Sequence, residues 1–150
     1  MIRAIILILI LSLFSSSCGF APIYSNTSEN LNINLISASG DNDINLGIKS
    51  KLRTHKNLSS QLIEIKLETA YTKQDLSKND SGEVQNYQLN AISKFYIDKN
   101  NDQKIIEIRE SFTMENINDD FEEQNYEKEI KENFSFSIYQ KLIMQLIKIQ

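Results

Sequence analysis

The chain is short of the residues that most exported proteins and most enzymes rely on. It has one cysteine, one proline, four glycines, one histidine and no tryptophan among 150 residues. One cysteine excludes an internal disulfide, so the fold has to rest on its core. One histidine leaves no partner for a second imidazole in a metal or proton-relay site. The four glycines form no phosphate-cradling loop, and neither a GxSxG elbow nor an HExxH pair occurs anywhere. A basic face is missing too: 16 basic side chains stand against 20 acidic ones, a net charge of −4. That balance argues against nucleic acid, which needs clustered basic groups for its phosphates. The expectation is a protein that is not an enzyme and needs no cofactor and no metal.

What the chain does have begins at its N-terminus. Residues 4–14, AIILILILSLF, follow the short charged start that holds Arg3. A spanning helix needs about 20 apolar residues. This run is shorter and has the form of a secretory h-region, with an uncleaved anchor extended through the serines as the alternative. The single cysteine, Cys18, comes directly after FSSS. Small residues before a cysteine suit lipoprotein processing, in which the chain is cut ahead of the thiol and the thiol carries fatty acyl groups such as palmitate. Ser15 stands where that motif usually has leucine. Acyl chains contribute about 0.8 kcal/mol per buried methylene, so several of them hold a protein on a bilayer. Residues 1–17 then form a signal peptide, 18–30 an acylated N-terminus and tether, and 31–150 one α+β domain. Removing 1–17 removes only Arg3 of the charged residues, leaving 15 basic and 20 acidic side chains, about −5.

Leu31, Ile33 and Leu35 alternate with asparagines, which predicts a first strand. SASGDND (37–43) is a loop signal with Asp41 or Asp43 placed to cap a helix. Ile44, Ile48 and Leu52 recur every four residues, with Lys49, Arg53 and Lys56 opposite, so a helix is expected over 44–57. His55 falls near its apolar stripe and is expected to be a satisfied, semi-buried side chain. In QLIEIKLETAYT, Ile63, Ile65, Leu67, Thr69 and Tyr71 share one face. Two further strands follow, carrying Tyr87 to Ile97 and Ile106, Ile108, Phe112 and Met114, divided by turns at 78–82 and 98–104. The second turn starts like an EF-hand loop, but Gln103 and Arg109 stand where glycine and a bidentate glutamate are required, so it is a hairpin turn. Asp119, Asp120, Glu122 and Glu123 suit the solvated start of a helix; weak cation binding is the less favoured alternative.

From about 120 to 149, Ile130, Phe134, Ile138, Leu142 and Leu146 step by four. Phe136, Tyr139, Ile143 and Ile147 widen the apolar arc to about 220°. Either the arc is buried against both the sheet and the first helix, or part of it meets a partner. The order β-α-β-β-β-α gives an α+β fold: a four-stranded mixed, mostly antiparallel sheet with both helices on one face. The roughly 25-residue first connection suits a parallel crossover. The other face, carrying Ile92 and Tyr96 among polar residues, is left to dock something.

The tag CGFAPIY (18–24), with QLIEIKLETAY and NYQLNAISKFYI, resembles the LptE family of lipopolysaccharide-assembly lipoproteins, in the alphaproteobacterial-like form whose mature chain starts C-G-F-x-P-L-Y. Ile23 replaces the usual leucine, the loops are short, and the first helix carries fewer arginines than is common there. The resemblance implies an outer-membrane lipoprotein, lipid-anchored at Cys18 on the periplasmic side of the bilayer. It also implies binding to, plugging and assembly of the β-barrel translocon LptD, together with contact with lipopolysaccharide. No matched motif identifies lipopolysaccharide-binding residues; Lys99 and Lys104, at a hairpin end, are the candidates for its phosphates. The alternative function is another periplasm-facing lipoprotein, acting as a lipid carrier or envelope scaffold.

Overall fold

A computed structural model describes residues 31–56, 58–99 and 102–149; the expected signal peptide (1–17), Cys18 and the expected tether (18–30) lie outside the described residues. Six elements run β1 (Asn32–Gly40), α1 (Asn42–Leu52), β2 (Leu62–Lys78), β3 (Val84–Lys99), β4 (Asp102–Glu115) and α2 (Asp120–Lys148). The sheet order is β1-β2-β3-β4. β1 pairs parallel to β2, and the other two pairings are antiparallel. The α+β class, the element order and the mixed sheet with its two helices are as the sequence pattern predicts.

The period-2 alternation puts Ile63, Ile65, Leu67 and Thr69 of β2, Leu89, Ala91, Ser93, Phe95 and Ile97 of β3, and Ile106, Ile108 and Met114 of β4 into one core. Ile44, Ile48 and Leu52 of α1 and the Ile130-to-Leu146 stripe of α2 cover it. Burial of each such side chain stabilises the fold by about 1.5–3 kcal/mol. Two hydroxyls enter this layer, Thr69 and Ser93, and satisfy each other at 3.0 Å. The wide arc of α2 is taken up largely within the fold. Ile143 is buried, Tyr139 and Ile147 are half-buried, and only Phe136 keeps nearly half its surface open, beneath the Lys51 ammonium.

Three boundaries differ from expectation. The loop expected over 37–43 is mostly strand: after a bulge between Leu35 and Ser37, β1 pairs on to Gly40 opposite Thr69. It ends there because Gly40 has φ +91, and an added Cβ would fall 1.8 Å from the Thr69 carbonyl oxygen. Asp41 then caps α1, its side chain accepting from the Ile44 amide at 3.0 Å. The first helix stops at Leu52 instead of 57, because residues 55 and 56 are drawn to the start of β1. There the His55 carbonyl accepts from the Ile33 amide at 2.9 Å, and Lys56 bridges Asn32. His55 is therefore in the connection after α1, 8% exposed, with Nε2 2.7 Å from the Tyr139 hydroxyl. The second turn is tighter than 98–104, since β3 runs to Lys99 and β4 starts at Asp102.

Candidate functional site: the open face of the sheet

The helices leave one sheet face uncovered, and its composition follows from the same alternation that builds the core. Where Ile65, Leu67 and Thr69 point inward, Glu64, Lys66 and Glu68 point outward. Cross-strand pairing sets Lys66 against Tyr96, Glu68 against Lys94, and Ala70 against Ile92. On the far side Tyr96 meets Ile105, Lys94 meets Glu107, and Ile92 meets Arg109. The face is a mosaic in which charged pairs surround isolated apolar groups. Tyr96 donates to the Glu68 carboxylate at 2.9 Å, and that bond, with some desolvation, holds its phenol above the ordinary value. Glu107 takes both Arg109 and, at 3.8 Å, Lys94. Ile92 and Tyr96 are half-buried in this mosaic.

At the end of this face where β1 begins, the surface sinks into a depression of about 550 Å³. Ile36, Lys66, Tyr96, Asp98, Lys104 and Ile105 are among the residues that line it. Glu64 and Asp98 oppose each other directly across the strands, a like-charge pair that favours a cation or a donor between them. Apolar area is exposed beside these charges: Ile105 is 62% exposed, Ile36 50% and Leu62 47%. Single exposed apolar groups are ordinary, but three at one end of an uncovered sheet make a surface suited to contact.

Lys99 and Lys104 both fall at this end. The backbone of Lys99 pairs with Asp102 to close the β3–β4 hairpin, and Lys104 pairs with Ile97, exposed at the rim of the depression. The topology thus brings the two lysines into one neighbourhood. The acidic residues at 119–123 are divided among local tasks. Asp119 caps α2 by accepting from the Phe121 and Glu122 amides at 2.9 Å, and Glu123 pairs with Lys73 at 2.6 Å.

A second polar constellation, which pattern reasoning overlooked, lies on the helix side. Tyr71 donates to Glu127 at 2.8 Å, and Lys73 bridges Glu123 and Glu127 at 2.6 and 2.9 Å. Lys131 pairs with Asp41 at 2.9 Å while lying over the Tyr71 ring. Burial pushes the Tyr71 phenol up strongly, and the Glu127 hydrogen bond and charge add to it. Burial would raise Glu127 as well, but hydrogen bonds from Lys73 and Tyr71 outweigh it and hold the carboxyl below its ordinary value. Every charge in this cluster is matched, so it pins α2 to β2 and α1. The only sequence signal for it was Lys73 at an inward-facing strand position, where the alternation calls for an apolar residue.

No protein-family model matches this sequence, and neither does any curated protein. Solved structures do. The rare lipoprotein B of Shewanella oneidensis superposes with a TM-score of 0.57 at 15% identity, over 77% of this chain and 98% of that one. A lipoprotein B from Nitrosomonas europaea gives 0.58 at 15% identity, over 81% and 87%. A minor lipoprotein of Acinetobacter baumannii gives 0.53 at 11%, over 77% and 94%. At these identities the likeness is one of fold, and it extends over nearly the whole of each of those chains.

Proposed function

We propose that this protein is an LptE-type lipoprotein. Acyl chains on Cys18 hold it on the periplasmic side of the outer membrane, where it binds and plugs the β-barrel translocon LptD and supports its assembly and the insertion of lipopolysaccharide. One observation carries the reading. A fold shared over 77% and 81% of this chain with two bacterial lipoproteins stands behind a cysteine tag of the LptE form. The open face supports it further, because a plug needs contact surface and no catalytic group, and the mosaic of Ile92, Tyr96 and paired charges supplies that. Acyl tethering raises the effective concentration beside a membrane partner. Lys99 and Lys104 are the proposed contacts for lipopolysaccharide phosphates.

The test is affinity purification of the tagged protein from envelopes. A barrel of the translocon type is expected to co-purify, and its absence refutes the reading. Ile92→Glu with Tyr96→Lys should weaken that complex far more than it lowers the melting temperature; equal loss of both contradicts docking on this face. Mass spectrometry of the mature N-terminus checks the anchor, with an intact chain bearing a free Cys18 thiol as the refuting result.

A further inference from the structure

The two edges of the sheet are not alike. β4, at one edge, carries six charged residues in fourteen: Asp102, Lys104, Glu107, Arg109, Glu110 and Glu115. Charges of this kind are how proteins keep a strand edge from pairing with other chains. β1, at the other edge, reads NINLISASG and carries neither charge nor proline. Among the described residues its backbone is engaged from outside the sheet at its start, where Lys56 bridges Asn32 and the His55 carbonyl takes the Ile33 amide, and near its end, where the Asn45 side chain reaches the Ser39 carbonyl. From Asn34 to Gly40 no strand among the described residues pairs with the outer edge, although β1 is long enough to hold one.

A groove of about 250 Å³ runs along that stretch, between β1 and α1, with Leu35, Ala38, Asn45, Leu46 and Lys49 among its lining. Asn45 is 7% exposed; its Nδ2 donates to the Ser39 carbonyl at 2.9 Å, while its Oδ1 has no donor. A buried acceptor without a partner destabilises the fold, and a donor brought into the groove relieves it. Leu46 stands 55% exposed on the helical wall. Backbone groups in a row, a buried acceptor and an apolar flank together describe a receptor for an extended polypeptide, which binds by main-chain pairing and is selected by alternate side chains.

We propose that β1 accepts, along its outer edge from Asn34 to Gly40, an extended segment of the barrel partner, which adds a fifth strand to the sheet. This rests on the proposed function for the identity of the partner. The segment that fits places an apolar side chain between Ala38 and Leu46 and an acidic group toward Lys49. Binding there and on the open face would then hold the plug by two surfaces, one of them fixed in register by backbone bonds.

Hydrogen exchange of the mature lipoprotein, alone and in the purified complex, tests this. The outward-facing β1 amides, those not bonded to β2, should exchange at least about tenfold more slowly in the complex than alone. Ala38→Lys and Leu46→Lys, both at exposed positions, should cut recovery of the complex about tenfold while leaving the melting temperature of the isolated protein within a few degrees. A complex that forms with β1 exchanging as fast as in the free protein overturns the inference and leaves the proposed function standing. Slow exchange of the outward-facing β1 amides, those not bonded to β2, in the isolated protein also overturns it. If that slowing grows with concentration, the occupant is a second copy. If it is independent of concentration and abolished by deleting residues 19–30, the occupant is the chain's own N-terminal stretch. Failure of the wild-type protein to recover any barrel removes the proposed function, and this inference with it.

Discussion

Glu127 is where a single substitution should test how the long helix is held. The residues of α2 that are buried begin at Ile130, so its first ten residues, 120–129, add nothing to the apolar core. They are held instead by Glu127 and Glu123 on Lys73, by the Tyr71 hydroxyl on Glu127, and by the edge-on contact of Tyr126 with Phe112 at 6.4 Å. Glu127→Ala removes one charge-assisted and one phenol–carboxylate hydrogen bond. Bonds to charged groups contribute about 1.5–3 kcal/mol each when buried. Here Lys73 keeps Glu123, and the Glu127 side chain is 20% exposed, so the expected loss is nearer 2 kcal/mol in all. Urea unfolding at pH 7 measures it, and in a domain of this size that loss lowers the melting temperature by about 8 °C. The pH dependence follows from the direction of the shift. The folded Glu127 carboxyl titrates below its ordinary 4.5, so its contribution is fully present above that value and disappears as pH falls through the lower folded value. The wild-type and Glu127→Ala curves should therefore converge in acid. A loss at pH 7 below about 0.5 kcal/mol, or a gap that does not narrow in acid, refutes the reasoning.

Two further substitutions probe the packing. Gly47→Ala should destabilise by about 1–3 kcal/mol in urea unfolding, because its Cβ would sit 2.3 Å from the Ser135 hydroxyl and 2.7 Å from Ser135 Cβ, forcing α1 away from α2; a neutral result would mean that the helices shift freely. Phe95→Ala, at the fully buried centre of β3, should cost about 3–5 kcal/mol by the same assay, and a loss under 1 kcal/mol would show that the core does not pack around it.

The alternation of Ile63 to Thr69 and of Leu89 to Ile97 makes the sheet legible in the sequence, since a half-buried strand has to alternate. The four-residue step of Ile130 to Leu146 did the same for α2. Where the reading failed, short-range signals competed with pairing partners distant in sequence. Ser37, Ala38 and Ser39 look like loop because serine and glycine favour turns, yet a parallel strand at Lys66–Glu68 recruits them. His55 and Lys56 continue the helical pattern, yet β1 captures their backbone. Gly47 drew no notice, because a glycine in a helix carries no mark of the serine 88 residues later that requires it. Lys73 and Glu127 were passed over for a related reason: charges on a helix and a strand are solvated unless tertiary structure brings them together. Of the candidate site, the open face with Ile92 and Tyr96 was legible from alternation. The depression beside them was not, because it needs Ile36 from β1 and Ile105 from β4, on opposite edges, brought to the same end of the sheet.

That depression bears on how a tethered molecule would be oriented. Asn32 pairs with Leu62, Glu64 with Asp98, and Asp98 with Gln103. The point where the N-terminal stretch enters the domain is thus at the same end of the sheet as Lys99, Lys104 and the exposed Ile36, Leu62 and Ile105. The other end, about 50 Å away along the 17 residues of β2, carries Asp119, Asp120 and Glu122. The thirteen residues 18–30 extend at most about 45 Å. With Cys18 acylated as proposed, a tether of that reach allows the lysine end to lie against the bilayer but cannot set the acidic end there without folding back along the whole sheet. Charge at the near end is mixed, with Lys66, Lys99 and Lys104 beside Glu64, Asp98 and Asp102, so the reach of the tether is what decides. Under that proposal, the length of residues 18–30 and the end of the sheet at which β1 begins together favour one orientation.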